Sequence, residues 1–273
     1  MNRHFGKLGD VWKHLPLAEI LRVKPPIHYW ETHAGSASYP MDRSPERLHG
    51  AIRFASRAPS DPELKSCAYL ELLQRNFAVY PGSGMIAVQL LGKNSDYLFC
   101  DTDPKSAATL RVAAAHVNAR IKERDGVLSV EEEAAAAGVC PADTLVHIDP
   151  FDPHERLTPE SKTPIELAGV LAKAGYRVLY WYGYDSETER GWALSEIARI
   201  APNVALWCGD ALIPAPFVYP DMEGAWGCGI VLANATTSEI ESCERLGNAL
   251  ARISESDVLK GNNPERLTFE IWE

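Results

Sequence analysis

Leu145-Val146-His147-Ile148-Asp149-Pro150-Phe151-Asp152-Pro153 reads as a short apolar strand that stops at a carboxylate followed by proline. Proline has no amide hydrogen and turns the residue before it away from helical conformation, so the strand ends at Asp149 and the chain leaves as a loop. Working outward, similar runs recur at Ile27 to Glu31, Tyr97 to Asp101, Arg177 to Trp181, Val204 to Cys208 and Gly229 to Ala233. Between them the spacing of apolar residues predicts helices over Asp10 to Leu21, Gly84 to Leu91, Pro104 to Ala119, Val130 to Ala137, Thr163 to Ala174, Ser186 to Ile200 and Ser238 to Ile253. Strands alternating with amphipathic helices predict an α/β fold: a mostly parallel sheet of about seven strands with helices on both faces. Leu267 to Trp272 alternates and could add an edge strand. From Tyr39 to Ala78 the chain turns polar, with short helical stretches such as Pro62 to Gln74. A helical insertion over residues 40–78 is expected inside a single domain of residues 1–273.

The chain has 273 residues, long enough to bury a large core without staples. No apolar run approaches the roughly 20 residues that cross a membrane. Met1 to Ile20 carries His, Lys and Asp throughout, which argues against a signal peptide. Six cysteines, none in a Cys-x-x-Cys pair, indicate neither a zinc site nor a disulfide framework, and they suit the reduced thiols of a cytoplasmic protein. A net charge of −10 argues against a broad nucleic-acid footprint and leaves room for a local basic patch. Arg3, Lys7, Arg43, Arg47, Arg53 and Arg57 are the candidates for that patch, although the arginines of the insertion serve equally as solvated helix surface.

In open α/β sheets ligands sit outside the carboxyl ends of the strands. The first strand ends in Glu31-Thr32-His33-Ala34-Gly35-Ser36-Ala37, an acid followed by small residues, which lets a turn approach a ligand or simply makes a tight turn. Cys100-Asp101-Thr102-Asp103-Pro104 places Asp101 where a nucleotide-binding fold holds ribose hydroxyls, with Asp103 as helix cap and Asp101 left free. Asp125-Gly126 could face an adenine ring or form a plain turn. Asp149 and the carbonyl of Pro150 give two acceptors suited to a primary amine, whose lone pair is then turned toward an electrophile; a proline-terminated strand without that role has the same sequence. Trp181, Tyr182 and Tyr184 wall a small pocket or fill the core.

Taken in order, Gly6, Asp10-Val11, Lys13-His14, Thr32-His33-Ala34-Gly35, Tyr80-Pro81-Gly82-Ser83, Asp125-Gly126 and Ile148-Asp149-Pro150 resemble the 23S ribosomal RNA adenine-N6 methyltransferase family of the RlmJ type. The resemblance implies a Rossmann-like class I methyltransferase fold with a helical insertion after its first strand. It also implies S-adenosyl-L-methionine as cofactor and N6 of an adenine in ribosomal RNA as methyl acceptor. Carried onto this chain, it implies cofactor contacts at His14, His33, Ser83, Asp101, Asp125, Gly126 and Asp149. Asp149 is then the catalytic carboxylate, Lys13 stands beside it, and Pro150 and Phe151 meet the substrate.

Three departures accompany the resemblance. Asp101 stands where the family usually has Glu. The family's Asp-Pro-Pro-Tyr is replaced by Asp149-Pro150-Phe151-Asp152, which exchanges a base-stacking Tyr for an acid and leaves Phe151, one position earlier, as the available stacking surface. A Tyr- and His-bearing stretch at the family's start has no counterpart here. Two further readings therefore stand beside RNA methylation: a methyltransferase for a small-molecule acceptor, and a non-catalytic cofactor-binding module. None of the three calls for a metal or a membrane.

Overall fold

The computed structural model describes residues 5–136, 138–214, 225–254, 259–260, 263–264 and 267–272. Arg3, a candidate for the basic patch, and Ala137, the end of one helix candidate, lie outside the described residues. The chain begins with α1 (Leu8–Val23), followed by β1 (His28–Glu31) and β2 (Ser38–Pro40). Helices α2 (Pro45–His49), α3 (Ala51–Arg57) and α4 (Ala68–Arg75) come next, then β3 (Val79–Pro81), which pairs antiparallel with β2 and sets Tyr39 opposite Tyr80.

The remainder alternates: α5 (Ser83–Leu91), β4 (Asp96–Cys100), α6 (Pro104–Ala113), β5 (Asn118–Lys122), α7 (Gly126–Ala135), β6 (Thr144–Ile148), α8 (Pro164–Lys173), β7 (Arg177–Tyr184) and α9 (Trp192–Ile200). It closes with β8 (Leu206–Pro214), β9 (Ala225–Ala233), α10 (Thr237–Ile253), a short β10–β11 pair (Leu259–Lys260 and Asn263–Pro264) and β12 (Thr268–Trp272).

One sheet holds eight strands in the order β12-β8-β9-β7-β6-β1-β4-β5. Strands β5, β4, β1, β6 and β7 run parallel, and β9 lies antiparallel between β7 and β8. This order, with one reversed strand near the end, is the Rossmann-like class I methyltransferase fold. β12 pairs antiparallel along the outer edge of β8 from Thr268 opposite Leu212 to Trp272 opposite Cys208, the edge strand that the alternation over Leu267 to Trp272 predicts, and the strand beyond the seven expected is β5.

The central strands are buried on both faces, which is why they read as near-continuous apolar runs. Val11, Trp12 and Leu15 of α1, Leu73 of α4 and Leu246 and Leu250 of α10 form the core on one face. Val130 of α7, Leu167 and Leu171 of α8 and Ile197 of α9 form the core on the other. Pro164 at the first position of α8 and a reciprocal Thr163–Glu166 capping box fix where that helix starts.

The helix expected over Pro104 to Ala119 ends at Ala113, and Asn118–Lys122 forms β5 instead. β5 is the opposite edge of the sheet and no residue in it is buried, so Asn-Ala-Arg-Ile-Lys carries little of the apolar signal of a central strand. The helix expected from Ser186 starts at Trp192, after a 3-10 turn at Glu187–Glu189. Arg47, offered for a basic patch or as solvated helix surface, is buried: its guanidinium lies 3.7 Å over the Phe5 ring and pairs with Asp42 and Glu46.

Candidate active site

The carboxyl ends of β1, β4, β6 and β7, with the start of α1 and of α5, enclose a cavity of about 760 Å³. It is lined by His14, His33, Ser83, Asp101, Lys13, Asp149, Pro150 and Phe151, eight of the ten positions singled out in the sequence. That volume is in the range of small-ligand sites.

The loop after β1 forms the floor. Ala34 N–H donates to the Cys100 carbonyl (2.9 Å) and Gly35 N–H to Asp101 Oδ2 (2.7 Å), which ties the loop to the end of β4. Gly82, at the start of α5, approaches so closely that a Cβ there would stand 2.2 Å from the Ser36 carbonyl oxygen. That contact brings the amino end of α5, with Ser83, onto the floor.

Asp101 is not free, as the sequence suggested. Oδ2 accepts from Gly35 and Oδ1 accepts from Asp103 N–H at 2.7 Å, although each oxygen keeps a second lone pair. Asp103 is the helix cap, accepting from Lys105 N–H at 3.0 Å. Asp125 and Gly126 do not line the cavity. Asp125 caps α7 through Leu128 N–H (2.7 Å), and Gly126 lies against the Thr32 backbone, where a Cβ would be 1.8 Å from the carbonyl oxygen.

At the end of β6, Asp149 Oδ2 receives Lys13 Nζ at 2.7 Å, and the same ammonium stands 3.1 Å from Asp10. Burial pulls the Lys13 pKa down, but the Asp149 and Asp10 carboxylates outweigh it and raise it well above the usual lysine value. Lys13 also lies 5.4 Å over the Trp181 ring. Pro150 is buried, whereas the Phe151 side chain is fully exposed at 101%.

His14 is buried next to Lys13. Burial, with the neighbouring Lys13 charge, lowers its pKa well below 6.5, and its Nδ1 is 2.7 Å from Tyr80 OH. Tyr69 OH in turn donates to Tyr80 OH at 3.1 Å. His33, also lowered by burial, has Nδ1 2.7 Å from Thr32 Oγ1.

The far wall is Trp181, Tyr182, Tyr184 and Trp226. Tyr182 is fixed by Asp210, which it reaches at 2.6 Å; Asp210 also accepts from Gly191 N–H (2.9 Å), and burial raises its pKa.

Several of these residues carried no chemical signal in the sequence. Tyr69 carried none, Tyr80 entered only as the first residue of the Tyr80-Pro81-Gly82-Ser83 motif, and their hydroxyl contacts are what distinguish both. Beneath the floor, Glu31 and His147 sit opposite each other in register, fully buried, with Oε1 to Nδ1 at 2.9 Å and Tyr29 OH 3.2 Å from the same nitrogen. Among the described residues no cluster of His, Cys, Asp and Glu is arranged for a metal ion, and no helix is long and apolar enough to cross a membrane.

No protein-family model and no curated protein matches the chain. Among solved structures it is similar to protein LPL1258 from Legionella pneumophila str. Philadelphia 1, described as family-model DUF519, at 21% identity and a TM-score of 0.74 over 98% of both chains. A SAM-dependent methyltransferase from Agrobacterium tumefaciens matches at 10% identity and a TM-score of 0.44, over 85% of this chain and 64% of that one. A DUF574 family protein from Streptomyces avermitilis matches at 10% identity and a TM-score of 0.43, over 83% and 82%. The likeness to the Legionella protein shows a shared fold along the whole chain.

Proposed function

We propose that this chain is an S-adenosyl-L-methionine-dependent N-methyltransferase, and that its acceptor is the exocyclic amine of an adenine in ribosomal RNA. The observation that carries the reading is the Asp149-Pro150-Phe151 corner: a carboxylate held by Lys13, a buried proline, and an aromatic ring wholly open to an incoming partner.

The cavity residues fit the cofactor. Its nucleoside would lie between the loop after β1 and Asp101, and its amino-acid end toward His14 and His33. When bound, S-adenosyl-L-methionine supplies an electrophilic methyl group on a sulfonium sulfur. Lys13 occupies Asp149 Oδ2, which leaves Oδ1 and the Pro150 carbonyl to accept the two amine hydrogens. An amine held by both hydrogens has its lone pair aimed along one line, and such positioning supplies much of the rate in a bimolecular transfer. The chain's own part would be to hold the amine for that methyl group, with Asp149 Oδ1 as the carboxylate oxygen through which the proton lost by the nitrogen would pass to solvent. Phe151 would stack on the base that has left its helix.

A second reading, methylation of a small-molecule amine, is favoured by the electrostatics of the rim. Lys7 stands 3.8 Å from Glu46 and Lys13 is held by Asp10 and Asp149, while Asp103 and Asp185 also face the cavity. An acidic rim repels a phosphate backbone and attracts a cationic amine.

The test supplies methyl-labelled cofactor with unmodified ribosomal RNA in one arm and with a metabolite extract in the other. Label at N6 of adenine is the expected result. Label confined to small molecules moves the function to the second reading, and cofactor binding without transfer to either leaves a binding module.

A further inference from the structure

The two histidines that line the cavity are each held at Nδ1 by a hydroxyl. Tyr69 OH donates to Tyr80 OH, so the Tyr80 oxygen receives one hydrogen and must place its own. His14 Nδ1, 2.7 Å away, is the acceptor in reach. All three side chains are buried, where a hydroxyl hydrogen without an acceptor is costly. A hydrogen on Nδ1 would strand it, so His14 carries its proton on Nε2 and its remaining polar atom is an N–H donor.

His33 has the reverse arrangement. Thr32 Oγ1 donates to the His147 carbonyl at 3.5 Å, and the same carbonyl accepts Thr32 N–H at 3.2 Å. With its hydrogen so placed, Oγ1 faces His33 Nδ1 at 2.7 Å as an acceptor. His33 therefore carries its proton on Nδ1, and its Nε2 is a bare lone pair. Burial lowers both imidazoles toward the neutral form that these tautomers require.

We propose that Tyr80, backed by Tyr69, and Thr32 are positioning residues that lock His14 and His33 in opposite tautomers, so that the cavity offers one N–H donor and one lone-pair acceptor to a zwitterionic α-amino-acid group. The donor meets the carboxylate and the acceptor meets the ammonium. This deepens, and rests on, the cofactor reading above, because the sulfonium cofactor ends in such a group. The recognition is by polarity alone and needs no charged side chain. Each histidine, in the wrong tautomer, would present the wrong sign to its half of the zwitterion.

The test has two readouts. In the ligand-free protein labelled with nitrogen-15 histidine, NMR is expected to show His14 protonated on Nε2 and His33 protonated on Nδ1. Calorimetry then compares S-adenosyl-L-homocysteine with 5′-methylthioadenosine, which keeps the nucleoside and lacks the amino-acid end. Tyr80→Phe and Thr32→Val are each expected to weaken the first roughly ten-fold and to leave the second unchanged. Should Tyr80→Phe fail to fold, Thr32→Val keeps the test alive, because losing the hydroxyl beside His33 Nδ1 is expected to give mixed His33 tautomers while His14 stays protonated on Nε2. The same tautomer in both histidines, or equal losses for the two nucleosides, overturns the proposal. Opposite tautomers with no binding of either nucleoside support the lock and overturn the cofactor reading instead.

Discussion

Lys13 on α1 and Asp149 at the end of β6 stand 136 positions apart in the chain and meet at 2.7 Å, with Asp10 at 3.1 Å as a second counter-charge. Asp149→Ala leaves the ammonium with one carboxylate, and Asp149→Asn keeps the shape without the charge. Both are expected to lower methyl transfer by about a thousand-fold and to bind S-adenosyl-L-homocysteine within a few-fold of the parent. Single-turnover rates beside calorimetry check this. Full activity in Asp149→Ala removes the mechanism.

Breaking the same pair from its other side tests stability. Lys13→Met strips Asp149 and Asp10 of their shared cation where the two carboxylate side chains are mostly buried, at 17% and 16% exposure. Uncompensated charges of this kind cost roughly 3 kcal/mol, which urea unfolding would read. A change below about 0.5 kcal/mol would mean that the two acids are solvated well enough to do without the amine.

Asp125 and Gly126 share a motif but have different mechanical jobs. Asp125→Ala loses one helix cap and is expected to cost about 1 kcal/mol with little change in cofactor affinity. Gly126→Ala drives a methyl group into the Thr32 carbonyl and is expected to displace the cavity floor, destabilise the fold more than Asp125→Ala does, and weaken the cofactor. Denaturation and calorimetry on the two variants separate these outcomes. A larger cofactor loss for Asp125→Ala would instead place that carboxylate on the ligand.

The lowered pKa values of His14 and His33 give a signed pH dependence. Each is a base whose folded value lies below its unfolded value of about 6.5, so the unfolded chain takes up the proton first as pH falls. Stability is therefore level above the unfolded value and declines below it, until the folded value is reached. Urea unfolding at pH near 7.5, 6.5 and 5.5 is expected to show the decline, with a shallower slope in His14→Gln. A slope that His14→Gln leaves unchanged would assign it to other groups.

Phe151 makes the acceptor testable without perturbing the fold. Its side chain is fully exposed, so Phe151→Ala is expected to leave the unfolding midpoint in place while lowering transfer to RNA at least ten-fold, roughly the worth of one stacked base. Unchanged transfer to RNA argues against the stacking role.

How much of this was legible in the sequence depended on how local the cause was. The β6 strand and its Asp-Pro stop, the capping box of α8 and the Asp103 cap rest on neighbouring residues, and they can be read directly. The Asp125 cap was just as local, an Asp directly before Gly and an apolar helix, yet the turn and the ligand roles obscured it. The bond from Gly35 N–H to Asp101 was illegible because Gly35 lies on another strand's loop. Tyr69 was illegible for a different reason: on an amphipathic helix its ring satisfies the apolar pattern, and nothing in the pattern shows where the hydroxyl ends. β5 escaped because an edge strand with no buried residue lacks the apolar run that marks its buried neighbours.

Phe5 and Trp226 line the same cavity from nearly opposite ends of the chain. The pocket consequently has a high contact order, and loop-closure entropy delays such contacts until most of the molecule has condensed. The sheet around β6 can form from shorter-range pairings first. Ligand capture then becomes a late event in refolding, and recovery of binding after dilution from denaturant should lag recovery of helical signal.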